Sequence, residues 1–536
     1  MNIREIEKII DVEHTKNPVF NAGKEQTFFD LLVSFEDSCG LILMSSILNP
    51  AILKIITDQM DSLNIGLLWA DNLCVDNEEP LKTDISELRY TQCCDLLTNY
   101  ANPYSVICSG YISYSRNRFT VTVKDNIVTF NLNEEQNNSM FSDILREASM
   151  NDFVKTASVI NSYKLIKVIE EFKKNVKVEN DSICYSLSED IYDVFKDIAE
   201  KQWDVSKTLP SDWKFDFFSL EEYKRFWVTI TSLCYIHFCS CFAIKDSQVR
   251  LKNSVIIQST DTIIEYIAKE SGLSRDKVKT IVDYITFNPK KKNVDIMYQP
   301  IIKLGEDTLI IAPILFMGSR PERNLLSVVS TMHDREYSSE VNDLEGLMVA
   351  ELESYISSPD IVKHKSLRDD LPDIDFAVLD KSTNSAMICE TKWFAAADST
   401  KEVITKEDEI THGCQQVEKI MGYAMSDRKQ FFKQVFNIDD GENIDLFGCV
   451  IAKHNIRTQN KYVPVIDLNR IKELLTKYSL NTVFHLIRNH EYEIQLPKEA
   501  TITHQSVKYA GFEFRIPAIA FGISKEEIDQ SQFLAL

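Results

Sequence analysis

Two short apolar segments that carry acidic residues constrain the fold of this chain more than any other feature. They are 371–380 (LPDIDFAVLD) and 386–393 (AMICETKW), and a polar turn separates them. Side chains on a strand alternate between its two faces, so Glu390 and Lys392 share one face of the second strand. If Asp375 lies on the same face of the first strand, the hairpin gathers carboxylates beside one ammonium group. Such a group can hold a divalent cation and activate a water molecule.

The pattern resembles the PD-(D/E)xK nuclease superfamily, which has the restriction-endonuclease-like fold. Asp373 follows a proline and spells the PD element, but Asp375 directly precedes the apolar run and is the better match to the family's aspartate. Glu390, Thr391 and Lys392 match the ExK element, and 390 − 375 = 15 positions fit a hairpin. The resemblance implies Mg²⁺, with Mn²⁺ as a substitute, held by Asp375, Glu390 and the carbonyl of Thr391. It implies that Lys392 positions and deprotonates the attacking water.

A predicted helix at 339–356 precedes the hairpin and supplies another acid. Its apolar residues form one arc at 100° per residue, and Glu345 lies near the middle of that arc. A carboxylate there needs a partner or a metal, because uncompensated burial is costly. The family supplies one more acid from such a helix, which makes Glu345 the first candidate. Glu351, at the border of the arc, is the second.

A second predicted helix, 410–423, follows the hairpin. Many relatives in the superfamily carry a glutamine on this helix near the scissile phosphate, so Gln416 is the candidate and Gln415 the alternative. The segments 444–452 and 463–467 are apolar and predict buried strands of a central sheet. Each motif has a structural alternative as a turn, a cap or a solvated charge pair, and Lys392 could serve only to neutralise buried acids. Their joint order favours the nuclease.

The predicted fold class is α/β, with a C-terminal restriction-endonuclease-like α/β/α nuclease domain after a larger, mixed and mainly helical N-terminal region. The resemblance covers about 336–500. A chain of 536 residues is too long for one core, so several domains are expected. The predicted units are a mixed α/β domain (1–135), a mainly helical domain (136–272), a connecting module (273–335) and the nuclease domain with a C-terminal β extension (336–536).

The regions outside the nuclease segment give structural signals only. In the first domain we predict helices at 28–37 and 46–63 and a meander of strands at 105–114, 118–123 and 126–132. In the second we predict helices at 140–147, 153–172, 189–201, 220–244 and 262–271. Alternating segments within 491–521 predict strands that either close the nuclease domain or form an added small sheet.

The connecting module resembles a winged-helix layout in outline, with a capped helix at 273–285 and strands near 296–304 and 308–315. It also contains the densest basic residues before the nuclease segment. These residues are candidates for contacts with phosphates, although a solvated loop is the more frequent role of three consecutive lysines. They are Lys290, Lys291, Lys292, Arg320 and Arg323.

Composition restricts the classes of function. The net charge of −22 argues against a protein that coats DNA non-specifically, but a metal site must itself be acidic. Twelve cysteines without a regular framework, and a charged N-terminus, predict free thiols in the cytoplasm. The uncharged run 226–244 approaches membrane-spanning length, but its threonine, serine, cysteine and histidine content favours a buried helix, so we expect no membrane partner. No P-loop motif is present, so no nucleotide cofactor is expected.

These observations predict a Mg²⁺-dependent endonuclease that hydrolyses phosphodiester bonds, with DNA favoured over RNA by the resemblance. A long unmatched region joined to such a nuclease resembles bacterial restriction and anti-phage defence proteins. The expected partners are nucleic acid and either a second copy of the chain or another protein. Two alternatives stay open, an RNA-cleaving toxin and a catalytically silent nuclease-fold subunit of an assembly.

Overall fold

The computed structural model describes 2–45, 50–76, 80–133, 140, 142–146, 168, 171–291, 293–332, 334–356, 360–367, 370–439, 441–456, 458, 460, 462–492 and 500–521. Within these residues the protein is mixed α/β, with several small sheets and a majority of helix. Residues 142–146 are helical, within the helix predicted at 140–147, whereas most of the helix predicted at 153–172 lies outside the described residues.

The helices are distributed along the whole described chain. They are α1 (Ile3–Glu13), α2 (Lys24–Ser45), α3 (Pro50–Leu73), α4 (Glu87–Asp95), α5 (Asn102–Ser115), α6 (Glu189–Val205), α7 (Leu220–Ala243), α8 (Ser247–Lys252), α9 (Thr260–Ser271), α10 (Arg275–Tyr284), α11 (Pro313–Met317), α12 (Pro321–Met332), α13 (Asp334–Ser354), α14 (Thr400–Ser426), α15 (Arg428–Phe436), α16 (Leu468–Lys477) and α17 (Leu480–Arg488).

The strands form four separate sheets. They are β1 (Phe119–Lys124), β2 (Ile127–Leu132), β3 (Val176–Glu179), β4 (Ser182–Tyr185), β5 (Ile256–Ser259), β6 (Ile301–Leu304), β7 (Thr308–Ile311), β8 (Ile361–Lys365), β9 (Ile374–Asp380), β10 (Ser385–Lys392), β11 (Asp445–Ala452), β12 (Val465–Asp467), β13 (Ala500–Tyr509) and β14 (Phe512–Phe521).

The largest sheet has five strands in the order β12-β11-β10-β9-β8. Strand β9 is antiparallel to both of its neighbours, β8 and β10, whereas β11 and β12 run parallel to β10. Both central strands, β10 and β11, are buried along nearly their whole length. This explains their continuous apolar sequences, because a strand covered on both faces has no polar side.

Helices cover both faces of this sheet. On one face, Leu344, Met348 and Leu352 of α13 share an apolar cluster with Phe376 and Cys389 of the sheet. On the other face, α14 and α15 pack against residues such as Ala377 and Ile388 through a separate cluster. The result is a three-layered α/β/α unit in which α13 and α14 lie on opposite sides of the hairpin β9–β10.

The C-terminal hairpin does not close this unit. Strand β14 pairs in parallel with β2, and the two hairpins form one four-stranded sheet in the order β1-β2-β14-β13. Residues 512–521 thus join a sheet built from residues 119–132. The added small sheet expected for 491–521 is present, but it includes β1 and β2, so the β extension belongs to a different sheet from that of the predicted nuclease domain.

The prediction of a strand at 105–114 is wrong. The segment 105–114 lies in helix α5, and its buried residues Ile107, Gly110 and Ser113 recur every three positions. At Gly110, an added Cβ would lie 3.4–3.5 Å from Ile516 and Phe130. The β-branched and aromatic content of the segment suggested a strand, but the spacing of its buried residues is that of a helix lying on the four-stranded sheet.

The connecting module has the expected succession of helices and strands but extends further towards the N-terminus. Its sheet has the order β5-β7-β6, so β5 belongs to it although it precedes residue 273. The turn between β6 and β7 contains Glu306 and Asp307 and is therefore acidic. An acidic turn does not suit contact with phosphates.

Helix α7 is the one described helix that is long and apolar enough to cross a membrane, and 72% of its apolar window is buried inside the protein. Its buried residues include Trp227, Tyr235 and Phe238, which pack in the two largest apolar clusters. The helix is therefore part of the protein interior, as its polar content predicted.

Candidate active site

The hairpin β9–β10 brings Asp375 and Glu390 together. The two strands pair antiparallel, with Cys389 opposite Phe376, and continuing this register by one residue places Glu390 opposite Asp375. Residues that are directly opposite in an antiparallel pair project from the same face. Asp375 and Glu390, which are 15 positions apart in the sequence, therefore lie opposite each other in the hairpin, as the sequence predicted.

Lys392 forms the closest contact in the site. Its Nζ lies 2.6 Å from Glu390 Oε1, and only 4% of the Glu390 side chain is exposed. Burial first, and then the charge of Asp375, raise the pKa of Glu390 to about 7, although the neighbouring Lys392 acts to lower it. Burial also acts to lower the pKa of Lys392, but the surrounding carboxylates, Glu390 first, raise that pKa above its usual value. Lys392 is therefore a charged donor at neutral pH.

Thr391 fixes the orientation of Asp375. Its backbone N–H donates to Asp375 Oδ2 at 2.7 Å, and its hydroxyl donates to the same oxygen at 3.1 Å. A carboxylate that accepts two such bonds has little freedom to rotate. The proposed role of the Thr391 carbonyl as a metal ligand stays a prediction.

Helix α13 contributes Glu345, as the sequence predicted. The backbone N–H of Trp393, directly after β10, donates to Glu345 Oε1 at 3.1 Å. Burial raises the pKa of Glu345, and the charge of Asp375 adds to that effect. The alternative, Glu351, forms an ion pair with Lys472, and Asp373 is exposed. Glu345 and Asp375 are therefore the acids that lie at the hairpin.

Helix α14 lies unusually close to the other side of this group. An added Cβ at Gly413 would lie 3.2 Å from Lys392 Cε and 3.3 Å from Glu390 Cγ. One helical turn further, Val417 occupies the space over Gly448 of β11, where a Cβ would lie 2.3 Å from Val417 Cγ1. Two glycines, one on the helix and one on the strand, thus allow α14 to cover the hairpin closely.

Gln416 lies three positions after Gly413, on the same side of α14, whereas Gln415 faces solvent. Gln415 is exposed, whereas Gln416 is partly buried. Its Oε1 is buried and has no hydrogen-bond partner among the described residues. An unpaired buried carbonyl costs free energy, so this oxygen is available to bind a ligand, water or ion. Burial therefore selects Gln416 from the two candidates.

Sequence reasoning missed Glu409, which lies one turn before Gly413 on the same face of α14. Its charge helps to raise the pKa of Glu345, so it belongs to the electrostatic surroundings of the site. Its carboxylate pairs with Lys406 at 2.9 Å. The signal was present in the sequence, because 409, 413 and 416 recur at helical spacing.

The donor set suits a hard divalent cation, although it is not arranged as a metal site. Carboxylates and a carboxamide oxygen are the ligands that Mg²⁺ prefers, and the unpaired Gln416 Oε1 is one such donor. However, the described residues include no group of three His, Cys, Asp or Glu that could hold a metal ion. The Lys392 ammonium donates to Glu390 Oε1. A metal ion would therefore compete with Lys392 for that carboxylate oxygen.

The arginines of the connecting module are engaged within the protein. Arg320 pairs with Asp398, and Arg323 pairs with Asp398 at 2.6 Å and with Glu402 at 2.5 Å. The Arg323 side chain is only 4% exposed and lies over the ring of Tyr298 at 4.7 Å. These contacts do not fit the predicted role in phosphate binding, because a buried and paired guanidinium cannot reach a nucleic-acid backbone.

The lysines of the module have a different environment. Lys290 and Lys291 are exposed, as a solvated loop would be, and Lys292 lies outside the described residues. Contact of these lysines with phosphates stays a prediction.

Comparisons of the chain with models of protein families, with curated proteins and with solved structures found no match.

Proposed function

We propose that this protein is a Mg²⁺-dependent phosphodiesterase that cleaves nucleic acid internally, with DNA as the favoured substrate. The observation that supports this most is the meeting of Asp375, Glu390 and Lys392 on one hairpin, with Glu345 bound to the end of the same strand. Acids from a helix and from two strands converge there beside a single ammonium group, which is what the resemblance to the nuclease superfamily requires.

In this proposal Asp375, Glu390 and Glu345 hold the cation and Mn²⁺ can replace it. When bound, Mg²⁺ supplies polarisation of the scissile phosphate and a lower pKa for a coordinated water. Thr391 keeps Asp375 in one orientation through two hydrogen bonds. Lys392, whose pKa is raised, stays protonated and stabilises negative charge at the phosphate. Gln416 orients water or phosphate through its unpaired carbonyl.

The biological setting is proposed by analogy with restriction and anti-phage defence nucleases. On that analogy the protein acts in the cytoplasm, and a second copy of the chain or another protein helps to bind nucleic acid. Such help suits a chain with a net charge of −22, because an acidic surface repels a phosphate backbone outside local basic regions.

Plasmid cleavage with and without Mg²⁺ tests this proposal, beside single-stranded DNA and tRNA as substrates. We expect wild-type protein to nick or linearise plasmid only with Mg²⁺ or Mn²⁺, and Lys392→Ala protein to be inactive. Cleavage of tRNA alone would identify the RNA-cleaving alternative. Equal cleavage by the Lys392→Ala protein would overturn the assignment of the site.

One observation favours the catalytically silent alternative. Asp375, Glu390 and Glu345 each accept a hydrogen bond from a group of the protein. The donor to Glu390 is the Lys392 ammonium, which takes the place that a metal ion would need. Titration with Mn²⁺, followed by its paramagnetic resonance signal, separates the two functions. An enzyme will bind the ion in the wild-type protein and bind it weakly in Glu390→Gln protein. A silent relative will show the same weak binding in both.

A further inference from the structure

The four-stranded sheet formed by β1, β2, β14 and β13 has two faces of different character. The inner face is apolar, and its Phe130 and Phe514 are buried in one cluster with Ile107 of α5. Side chains alternate along each strand, so every second residue projects from the other side, which we call the outer face. The centre of the outer face consists of Thr122, Lys124, Thr129, Ser506, Lys508 and Arg515.

The register of the strands places three basic residues on the outer face. Lys124 lies opposite Ile127, and Ile127 lies opposite Glu513. Glu513 in turn lies opposite Lys508. Residues opposite one another project from the same side of a sheet, so this row begins and ends with an exposed lysine. The next row contains Arg515. The two lysines are separated by three strand spacings, about 14 Å, and the two rows by about 7 Å.

The charge of these strands is opposite in sign to that of the chain. The four strands contain three basic residues and one acidic residue, whereas the chain has 59 basic and 81 acidic residues. The acidic residue, Glu513, accepts from Arg515 Nε at 2.8 Å and from the Ser506 hydroxyl at 3.1 Å. Lys124 and Lys508 have no ion-pair partner among the described residues. Both ammonium groups are therefore available to an anionic partner.

A phosphate backbone is the partner that this surface fits. Lysine and arginine attract phosphates, and serine and threonine hydroxyls donate hydrogen bonds to them. Thr122, Thr129 and Ser506 supply such hydroxyls in the row of Arg515. A lipid surface fits less well, because it requires exposed apolar side chains. Among the described side chains of the four strands, Ile502 is the one large apolar residue that is exposed.

We propose that the outer face binds the backbone of a nucleic acid through Lys124, Lys508 and Arg515. This inference rests on the proposed function for the identity of the partner. The outer face shares no residue with the candidate active site on the hairpin β9–β10, so the two can be altered separately. It gives an acidic chain a local surface on which a phosphate backbone is attracted.

The dependence of nucleic-acid binding on salt tests the outer face. A fluorescein-labelled DNA duplex is titrated with the full-length protein at several NaCl concentrations, with Ca²⁺ in place of Mg²⁺, and anisotropy gives Kd. The double variant Lys124→Gln/Lys508→Gln should lower the slope of log K against log salt by about two and weaken Kd roughly tenfold. The control Lys419→Gln/Lys429→Gln removes the same charge from exposed positions of α14 and α15 and should keep the wild-type slope.

An added charge gives a measurement that loss of folding cannot imitate. Thr122→Lys places an ammonium at an exposed position in the row of Arg515. It should raise the slope by about one and tighten Kd roughly threefold. Thr476→Lys, at an exposed position of α16, should leave both unchanged. If the two lysine variants behave alike, the outer face is not the binding surface.

Cleavage kinetics separate this inference from the proposed function. A contact made equally in the ground state and the transition state changes KM alone, so Lys124→Gln/Lys508→Gln should raise KM about tenfold with kcat within twofold. Binding that depends on these lysines in a protein that cleaves nothing supports the outer face and contradicts the nuclease. Cleavage by the double variant with wild-type KM and salt slope overturns the outer face alone.

Binding of the wild-type protein to vesicles of equal parts phosphatidylserine and phosphatidylcholine tests the other anionic partner. If the protein binds these vesicles through Lys124 and Lys508 and binds neither DNA nor RNA, the outer face contacts a lipid surface and the proposal is wrong. Absence of binding to DNA, RNA and vesicles also overturns it. Thermal denaturation followed by circular dichroism identifies any variant that fails to fold.

Discussion

Two charged clusters in this protein are balanced in opposite ways. The hairpin cluster, which consists of Asp375, Glu390, Lys392 and Glu345, has three carboxylates and one ammonium. The arginine cluster sets two guanidinium groups against two carboxylates and is formed by Arg320, Arg323, Asp398 and Glu402. The arginine cluster is neutral as a whole, whereas the hairpin cluster carries excess negative charge.

The difference indicates which cluster stabilises the fold and which can bind a ligand. Matched ion pairs compensate one another's charge without a ligand. Removing one member destabilises the fold, because it leaves a buried charge without compensation. Burial raises the pKa values of Glu390 and Glu345 first, and repulsion by the charge of Asp375 adds to it. A cation relieves that repulsion, so excess charge of one sign is the better signal of a site. The sequence pointed to the hairpin cluster through its motif and to Arg320 and Arg323 through their basic charge, and the acidic partners of the two arginines were not predicted.

The largest expected effect is loss of cleavage when the hairpin cluster is altered. Asp375→Asn, Glu390→Gln and Lys392→Ala should each lower kcat/KM about 10³-fold or more, because each removes a group that stabilises the transition state. Plasmid cleavage under single-turnover conditions measures this. Asp373→Asn removes the same charge from an exposed position two residues earlier and should keep activity within twofold. A large loss in that control would mean that the aspartate has been assigned wrongly.

The next effect is on stability, in the arginine cluster. Arg323→Ala removes the buried partner of Glu402 and leaves Asp398 with Arg320 alone, so it should lower the free energy of unfolding by about 3–5 kcal/mol. Urea denaturation followed by circular dichroism measures the change. Lys290→Ala, at an exposed lysine, should change it by less than about 0.5 kcal/mol. A loss below about 1 kcal/mol for Arg323→Ala would show that the cluster does not stabilise the fold.

The third effect is a dependence of stability on pH without metal. The pKa of Glu390 is raised to about 7 in the folded protein, above its ordinary value of 4.5. The folded state therefore holds the proton more tightly, and stability from this group is present below pH 4.5 and lost as the pH rises to about 7. The loss is on the order of 3 kcal/mol. Urea midpoints between pH 4.5 and 8 should fall for wild-type protein and fall less for Glu390→Gln protein. Parallel curves would contradict the shift.

The smallest effect concerns the two neighbouring glutamines. Gln416→Ala should lower kcat/KM about tenfold, the equivalent of one hydrogen bond in the transition state. Gln415→Ala changes an exposed residue of the same type and should be neutral. Kinetics on a short labelled duplex resolve a difference of this size. If the two variants behave alike, the unpaired carbonyl of Gln416 has no role in the reaction.

Local patterns predicted most of the hairpin and its surroundings. The expected strands 371–380 and 386–393 are observed as Ile374–Asp380 and Ser385–Lys392, because alternation and a short turn determine a hairpin locally. Glu345 was predicted because a carboxylate on an apolar arc needs a partner, and that partner is the Trp393 amide. These features depend on few residues that are close in sequence.

Features that depend on distant partners were not predictable in the same way. Arg323 was taken for a surface residue because its acidic partners follow 75 and 79 positions later in the chain, and no local pattern relates them. Helix α5 was taken for a strand because its composition favours strands, whereas packing against β2 and β14 decides its conformation. Glu409 shares a helix face with Gly413 and Gln416, which the sequence could show, but its effect on Glu345 depends on the packing of α13 and α14 about the hairpin.

The pairing of β14 with β2 has a consequence for any attempt to isolate the five-stranded unit. The strands of the four-stranded sheet come from residues 119–132 and 500–521. Along the chain, the α/β/α unit is therefore inserted between the two hairpins of that sheet. A fragment that starts at residue 336 would retain β13 and β14 with an exposed edge and no neighbour, and exposed edges promote aggregation. A soluble fragment that contains the five-stranded sheet should therefore end before residue 500 or keep residues 119–132.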